Sequence, residues 1–245
     1  MTFATFPTGN VDVVNLNFPT QSFAQVLVGW QNWLRTADRS NWALADSTTD
    51  ATGTHCRIMA TCPAGSGDSV MSAITSAVGM QPTGTDSHTF NYLDLVGYLA
   101  GNNLNPAPLG YVGGSDVFPV INAGAAQGIA AAVNAFPPGA GRMLAIMHTL
   151  DGALATVAPG ATAFPWRGHS ALVQWYVEPS GSPSAAISWL NTAHQAVQPY
   201  SVGGYVNYIE ANQPPSRYFG PNLSKLSAVR QKYDPGRVMF SGLNF

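Results

Sequence analysis

The chain reads as an α+β fold in which helices cover an antiparallel sheet. Three observations predict this. Segments of strict alternation recur, as where Val14, Leu16 and Phe18 alternate with Asn15 and Asn17, the period of a strand with one wet face. Between them lie segments whose apolar residues recur at helical spacing, Phe23, Val26, Leu27, Trp30, Trp33 and Leu34 being the clearest. Many of the strands are separated by too little chain for the crossover that a parallel pair requires. With 245 residues, 46% of them hydrophobic, the chain suits one large domain or two small ones and can bury a sizeable core.

Each element has a local reason. The first strand spans Val14 to Phe18, and Pro19-Thr20 opens the first helix, with Thr20 as the expected cap. Strands are expected at Trp42–Ala45 and His55–Cys62. A Gly/Ser loop leads to a helix from about Asp68 with Val70, Ile74, Ala77 and Val78 inward, and Phe90–Ala100 reads as another helix. Residues 101–115 hold four Gly, two Pro and three Asn and are expected to form a long loop, a lid or a binding loop. Ile121–Phe136 is an Ala-rich helix ended by Pro137-Pro138, and strands follow near Met143–Leu150, Ala153–Val157 and Ala171–Val177. Ser182-Pro183 starts a helix that carries Ile187, Trp189, Leu190, Ala193 and Val197 and stops at Pro199. The last helix, about Pro221–Lys232, places Leu223, Leu226 and Val229 inward.

Composition excludes several classes. Charged residues are only 9% of the chain, against roughly 25% in typical domains; Asn, Thr, Ser, Gln and Gly dress the surface instead. The 25 Gly and 18 Pro show no period, which excludes collagen, and the plentiful large apolar residues argue against disorder. A net charge of −2 without a basic stripe makes nucleic acid an unsuited partner. No apolar run approaches the roughly 18 residues of a membrane span. The opening MTFATFPTGN has neither a positive n-region nor a long apolar h-region, so no signal peptide is expected; the low charge and abundant Thr, Asn and Gly are a composition met in exported proteins. Cys56 and Cys62 share one face of a single strand. Six strand steps separate them by roughly 20 Å, and a disulfide needs Cα atoms within about 7 Å, so both are read as buried free thiols. The redox compartment stays open.

The motif search is largely negative. No P-loop, no G-x-G-x-x-G between a strand and a helix and no H-E-x-x-H occurs. The five histidines (His55, His88, His148, His169, His194) are scattered, and each reads as a surface or satisfied core residue. Gly168-His169-Ser170 lacks the second Gly of a nucleophile elbow, Leu172 standing there, and its Ser opens a strand. The twelve acids show no pairing in sequence that would assign glycoside chemistry.

The C-terminal third is different. Gly204-Tyr205-Val206-Asn207-Tyr208-Ile209-Glu210 is followed by Tyr218-Phe219-Gly220-Pro221-Asn222-Leu223 and then Lys232-Tyr233-Asp234-Pro235. This closely resembles the C-terminal signature of the berberine bridge enzyme-like FAD-linked oxidases: Y-x-N-Y-x-D, Y-[YF]-G-x-N, and a helix ending K-x-K-Y-D-P. Gly152-Ala153, Ala161–Arg167 and the strand with Gln174 look like the family's substrate-domain segment, and Trp30 with Trp33 fits its W-x-x-W, a stripe that reads first as core. The resemblance covers most of the chain. Two positions depart from the pattern: Glu210 stands for the usual Asp, and Asp151 precedes Gly152 where Gly is common. Arg167-Gly168-His169-Ser170 superficially resembles the flavin-linking R-x-G-G-H but follows the substrate-domain segment.

The resemblance implies a division and a chemistry. Residues 1–198 would form the substrate-binding α+β domain of a vanillyl-alcohol-oxidase-type flavoenzyme, and 199–245 would return to an N-terminal flavin-binding domain absent from this chain. Met1 would align with an interior strand leaving that domain. The implied cofactor is FAD and the implied partners are that missing domain and a small-molecule substrate, an alcohol of the sugar or secondary-metabolite kind. In the family reaction a base takes a proton, a hydride passes to flavin N5, and oxygen is the usual acceptor; the flavin carries the redox chemistry. The chain alone is expected to be inactive. By resemblance Tyr208 is the candidate base and Tyr205 a second ring at the site, Gln174, Tyr176 and Arg167 are substrate-side residues, and Asn207 and Asn222 orient the backbone or touch the flavin ring. Gln174 shares a strand face with Leu172 and Tyr176, and its amide offers a donor and an acceptor to a substrate hydroxyl. Arg167 either anchors a loop or meets an anionic group.

Two checks attach to these residues. A phenol ionises near 10, so a phenolate near pH 7 needs a shift of about 3 units, roughly 4 kcal/mol, from a nearby cation or strong donors. Tyr205 and Tyr208, three apart, would face opposite ways in a strand and reach one site only if the segment bends. The competing reading is a stand-alone, non-catalytic ligand- or protein-binding domain on the same scaffold. A broad exposed apolar face favours the flavoenzyme part, and a polar, well-packed surface favours the stand-alone domain.

Overall fold

A computed structural model describes residues 7–101, 109–239, 242, 243 and 245. The elements run β1 (Val11–Phe18), α1 (Phe23–Leu34), β2 (Trp42–Asp50), β3 (Gly53–Pro63), α2 (Gly67–Val78), β4 (Gly84–Phe90), α3 (Tyr92–Leu99), β5 (Val112–Phe118), α4 (Ala123–Asn134), β6 (Gly141–Thr149), β7 (Ala171–Pro179), α5 (Ser184–Val197), α6 (Ser216–Phe219) and α7 (Leu223–Tyr233). The strands form one seven-stranded sheet in the order β4-β1-β3-β2-β6-β7-β5, and every pair is antiparallel. The fold is α+β, as the sequence predicts.

Alternation sends one set of side chains to each face of this sheet. Val14, Leu16, Ala45, Ile58, Ala60, Met143, Val173 and Trp175 point to the face covered by α1, α2, α4 and α5 and form the main core. Cys56 and Cys62 lie on this face as buried free thiols, as the strand spacing predicts. The opposite face is mostly polar. α3 covers one end of it, where Val13, Leu44 and Met59 meet Leu95 and Tyr98.

The β2–β3 turn is tied by Asp50, whose Oδ1 accepts the Thr52 amide at 2.7 Å, and Gly53 takes the positive φ that the turn needs. α3 starts where Asn91 caps it by accepting the Asp94 amide at 3.0 Å.

Several local expectations are corrected. Thr20 caps nothing: Thr20–Ser22 is a 3₁₀ turn after Pro19, closed by the Ser22 amide donating to the Pro19 carbonyl. Phe90 ends β4 rather than opening a helix, and β4 itself escapes detection because as an edge strand its sequence GTDSHTF is exposed along most of its length and shows no apolar alternation. The expected 101–115 loop falls partly on residues 102–108, outside the described residues; its end, 112–115, is the edge strand β5. Its glycines mark close approach rather than a loop, since a Cβ on Gly114 would stand 2.5 Å from the Glu210 carboxylate. Residues 153–157 are a 3₁₀ turn, Gly152–Thr156, not a strand, with Gly152 at φ 61°. Val229 on α7 is 47% exposed, because only the Leu223 and Leu226 side of that helix meets the small cluster around Tyr218 and Phe219. The reading of Met1 falls on residues 1–6, also outside the described residues.

Candidate active site on the uncovered sheet face

A cavity of about 360 Å³ opens at the β6–β7 end of the polar face. It is lined by His148, Leu150, Leu154, Phe164, Arg167, Leu172, Tyr205 and Tyr208. The two tyrosines meet because the segment is bent: Val206–Tyr208 is a 3₁₀ turn, closed by the Tyr208 amide donating to the Tyr205 carbonyl at 2.9 Å. Their rings stand edge to face, 5.4 Å between centroids. Phe164 packs edge-on against Tyr205 at 5.5 Å, so three aromatic rings form one wall.

The turn is fastened from several directions. The Tyr205 amide donates to Ser115 Oγ on β5 at 2.8 Å, and the Gly204 amide donates to the Arg217 carbonyl at 2.8 Å. Trp166 Nε1 donates to the Gly204 carbonyl at 2.8 Å. A Cβ on Gly203 or Gly220 would strike the Trp166 ring, which is why glycine stands at both places.

Of the residues expected at the site, Tyr205, Tyr208 and Arg167 line the cavity. Gln174 joins through His148, whose Nε2 lies 3.3 Å from Gln174 Oε1; the register pairs His148 with Leu172, two residues before Gln174 on β7. Asn207 is exposed and donates from Nδ2 to the Tyr205 hydroxyl at 2.8 Å. Two of the expected residues are elsewhere. Tyr176 lies two residues further along β7, stacked on Tyr111 at 5.3 Å, and does not line the cavity. Asn222 is buried and spends its amide on the carbonyls of Pro159 (2.7 Å) and Thr162 (2.9 Å), holding the loop that leads into Phe164–Arg167. Arg167 contacts a loop too: it donates to the Leu154 carbonyl at 3.0 Å and to Thr162 Oγ1 at 2.9 Å, with its Nε buried and unpartnered.

His148, one of five histidines scattered along the sequence, joins the cavity only through the fold. The usable signal was alternation: Leu144, Ile146 and His148 share the β6 face that adjoins Gln174 on β7. Burial pushes the His148 pKa below its ordinary value, against the opposing hydrogen bond to Gln174, so its imidazole is neutral at pH 7. Burial and then the neighbouring Tyr205 push the Tyr208 phenol up, so it is a hydroxyl donor at that pH.

Flavin cofactors need a seat for a pyrophosphate as well as for the ring. Gly65-Ser66-Gly67 at the start of α2 has the form of an anion-binding nest. It is filled from within: Asp12 Oδ2 accepts the Gly65 amide at 2.7 Å and the Gly67 amide at 3.1 Å, and Thr89 donates to Oδ1. With the Asp12 carboxylate seated in it, this nest has no room for phosphates.

Residues 204–240 match the family model described as "Berberine and berberine like". Over 96 residues the chain is 32% identical to the uncharacterized FAD-linked oxidoreductase YgaK of Bacillus subtilis (strain 168), a match covering 37% of this chain and 21% of that protein. A variant of BBE-like 1 from Physcomitrella patens shares the fold with a TM-score of 0.79 at 19% identity, over 96% of this chain and 54% of that one. A carbohydrate oxidase from Microdochium nivale, in complex with a substrate analogue, does so with a TM-score of 0.77 at 16% identity, over 93% and 53%. The resemblance to berberine bridge enzyme-like FAD-linked oxidases stands, on the family model for the C-terminal motif and on solved structures for the fold. The chain spans about half the length of those structures.

Proposed function

We propose that this chain is the substrate-binding and C-terminal part of an FAD-dependent oxidoreductase that oxidises an alcohol-type substrate, a sugar or a secondary metabolite. Residues 1–198 serve as the substrate domain, and 199–245 carry the tyrosine turn and return toward a flavin-binding domain supplied elsewhere. The observation that carries the reading is the aromatic cavity: the motif tyrosines 205 and 208 bend into one pocket beside His148 and Gln174, on the sheet face that helices leave open.

A bound flavin would supply the two-electron acceptor. The chain's own residues do the rest. Tyr205, Tyr208 and Phe164 offer flat apolar walls to a ring-shaped substrate, and the Gln174–His148 pair offers polar groups to its hydroxyls. Tyr208 is the proposed base. Burial works against its ionisation, so a cation contributed by the other half must lower its pKa for that role. Within the cavity His148 is the group that is an unprotonated base at neutral pH.

Exposed apolar side chains support a missing partner domain over a stand-alone module. α3 buries none of its residues: Leu93 is 78% exposed, and Tyr92 and Leu99 are exposed beside it. Val238 and Met239 are exposed near the C-terminus. Such surfaces usually mark contacts.

The test is purification of the protein from its own source through a tag on this chain. Visible flavin bands and substrate-dependent oxygen uptake are expected. Tyr208→Phe in that material should lower kcat by about 10²–10⁴-fold, the usual weight of a general base, with the flavin bands retained. A colourless preparation, active on no alcohol, would sink the reading.

A further inference from the structure

A second cluster of ionisable side chains lies on the helix-covered side of β5, outside the cavity. His194 of α5 stands between two carboxylates: its Nδ1 is 2.6 Å from Asp116 Oδ2, and its Nε2 is 2.7 Å from Glu210 Oε2. A carboxylate only accepts, so both ring nitrogens must donate, and only the imidazolium carries two N–H groups. Arg217 of α6 closes the cluster, donating from Nη2 to Asp116 Oδ1 at 3.1 Å and to the Ser115 carbonyl at 2.6 Å. The same Nη2 also lies 3.1 Å from His194 Nδ1, and Arg217 Nε lies 3.7 Å from Glu210 Oε1; Trp175 of β7 and Ser201 donate to Asp116. Two positive and two negative charges balance. Asp116 and Glu210 are almost fully buried, and His194 and Arg217 nearly so.

The cluster joins the fixed sheet to the segment that bears the cavity tyrosines. Asp116 and Ser115 belong to β5, whereas Glu210 lies two residues after Tyr208, and its amide donates to the Tyr218 hydroxyl at 2.8 Å. The glycine at 114 leaves the space its carboxylate needs. We propose that His194, as an imidazolium bridging Asp116 and Glu210, is a positioning residue that clamps the 204–217 segment onto β5 and so sets the Tyr205–Tyr208 pair in the cavity. The clamp deepens the functional reading and rests on it for the meaning of that cavity, but its geometry is independent of any cofactor.

The clamp is linked to a proton. Burial alone would lower the His194 pKa; the hydrogen bonds and charges of Asp116 and Glu210 outweigh it and raise it from 6.5 to about 9. A group whose closed-state pKa is raised stabilises the closed form fully below its free value and loses that effect as pH rises through the raised one. Opening of the segment should therefore grow tenfold per pH unit between about 6.5 and about 9, and level off outside that window.

Amide hydrogen exchange on the full chain reads this directly. The reporters are the Gly204, Tyr205 and Glu210 amides, corrected for the intrinsic base-catalysed rate, with β1–β3 amides as the control. The expected result is a tenfold-per-unit rise of opening at the three reporters in the wild type and a flat profile in His194→Gln, with the control amides unchanged. Loss of packing alone would speed exchange without that slope. Should His194→Gln not fold, Glu210→Gln serves: it removes one of the two carboxylates, and the upper end of the window should fall to lower pH while the lower end stays. A flat wild-type profile, or an unmoved window in Glu210→Gln, overturns the proposal. Neither outcome bears on whether flavin is bound, which the purification above reads separately.

Discussion

The two faces of the sheet are built from the same seven strands and differ in almost everything else. Away from the ionic cluster at Asp116, the helix-covered face is dry, with Val14, Leu16, Ile58, Ala60 and Trp175 fully buried. The other face carries a polar chain across the strands: Arg57 Nη2 donates to Asp46 at 2.6 Å, Asn15 donates to Asp86 and Tyr98 at 3.0 Å, and His148 meets Gln174. Successive residues of one strand serve different ends, one set filling a core and the next furnishing a site. The comparison teaches that stability and chemistry are separable here by single steps along a strand, and substitutions should respect that division.

The largest effect is expected on the dry face. Trp30 is fully buried in α1, and Trp30→Ala should cost about 3–5 kcal/mol, read as a lower urea midpoint. The Cys56 thiol comes next. Burial and then Asp46 push its pKa from 9.0 to about 12, so near pH 8 the folded chain should hold about a thousandfold less Cys56 thiolate than a free thiol. Alkylation should proceed only as fast as the chain opens. Since the raised pKa belongs to the folded state, this contribution to stability is intact below pH 9 and lost as pH rises toward 12. Labelling at the rate of an exposed cysteine would break the contrast between the faces.

Gly29 should show a smaller effect. A Cβ there would overlap the Val78 backbone of α2, so Gly29→Ala should cost about 1–3 kcal/mol through overpacking. The smallest stability change belongs to the other face: Tyr208→Phe should move the urea midpoint by no more than about 0.5 kcal/mol equivalent, while abolishing most turnover in the flavin-loaded protein. A large loss of stability there would mean that the tyrosine turn is part of the core.

Legibility in the sequence followed the same division. The dry face was readable, because burial writes a period of two or of 3.6 into the apolar residues: the strand with Val14–Phe18 and the helix with Trp30 and Trp33 stand where their spacing puts them. Edge strands were not. β4 is exposed along most of its length, and β5 carries Gly113 and Gly114 because of close approach from neighbouring chain, so neither shows the alternation of a half-buried strand. At the site, the resemblance singled out Tyr205, Tyr208, Gln174 and Arg167, and the fold brings these near one cavity. It also named Tyr176 and Asn222, which the fold keeps outside it. His148 carried only its place in the β6 alternation and His194 no signal, because what makes each unusual is a partner 26 or 78 residues away in the chain.

By itself, then, the sequence determined the fold class, the buried thiols and the C-terminal motif, since each rests on spacing along the backbone. Only the tertiary structure decided that Val206–Tyr208 bends so that two tyrosines share a pocket, that Asp12 fills the nest at the start of α2, and that Asp116, His194, Glu210 and Arg217 assemble into a neutral quartet. The physical reason is range. Periodicity is a local property of the chain, whereas the environment of an ionisable or catalytic group is set by whichever distant segments the folded sheet places against it.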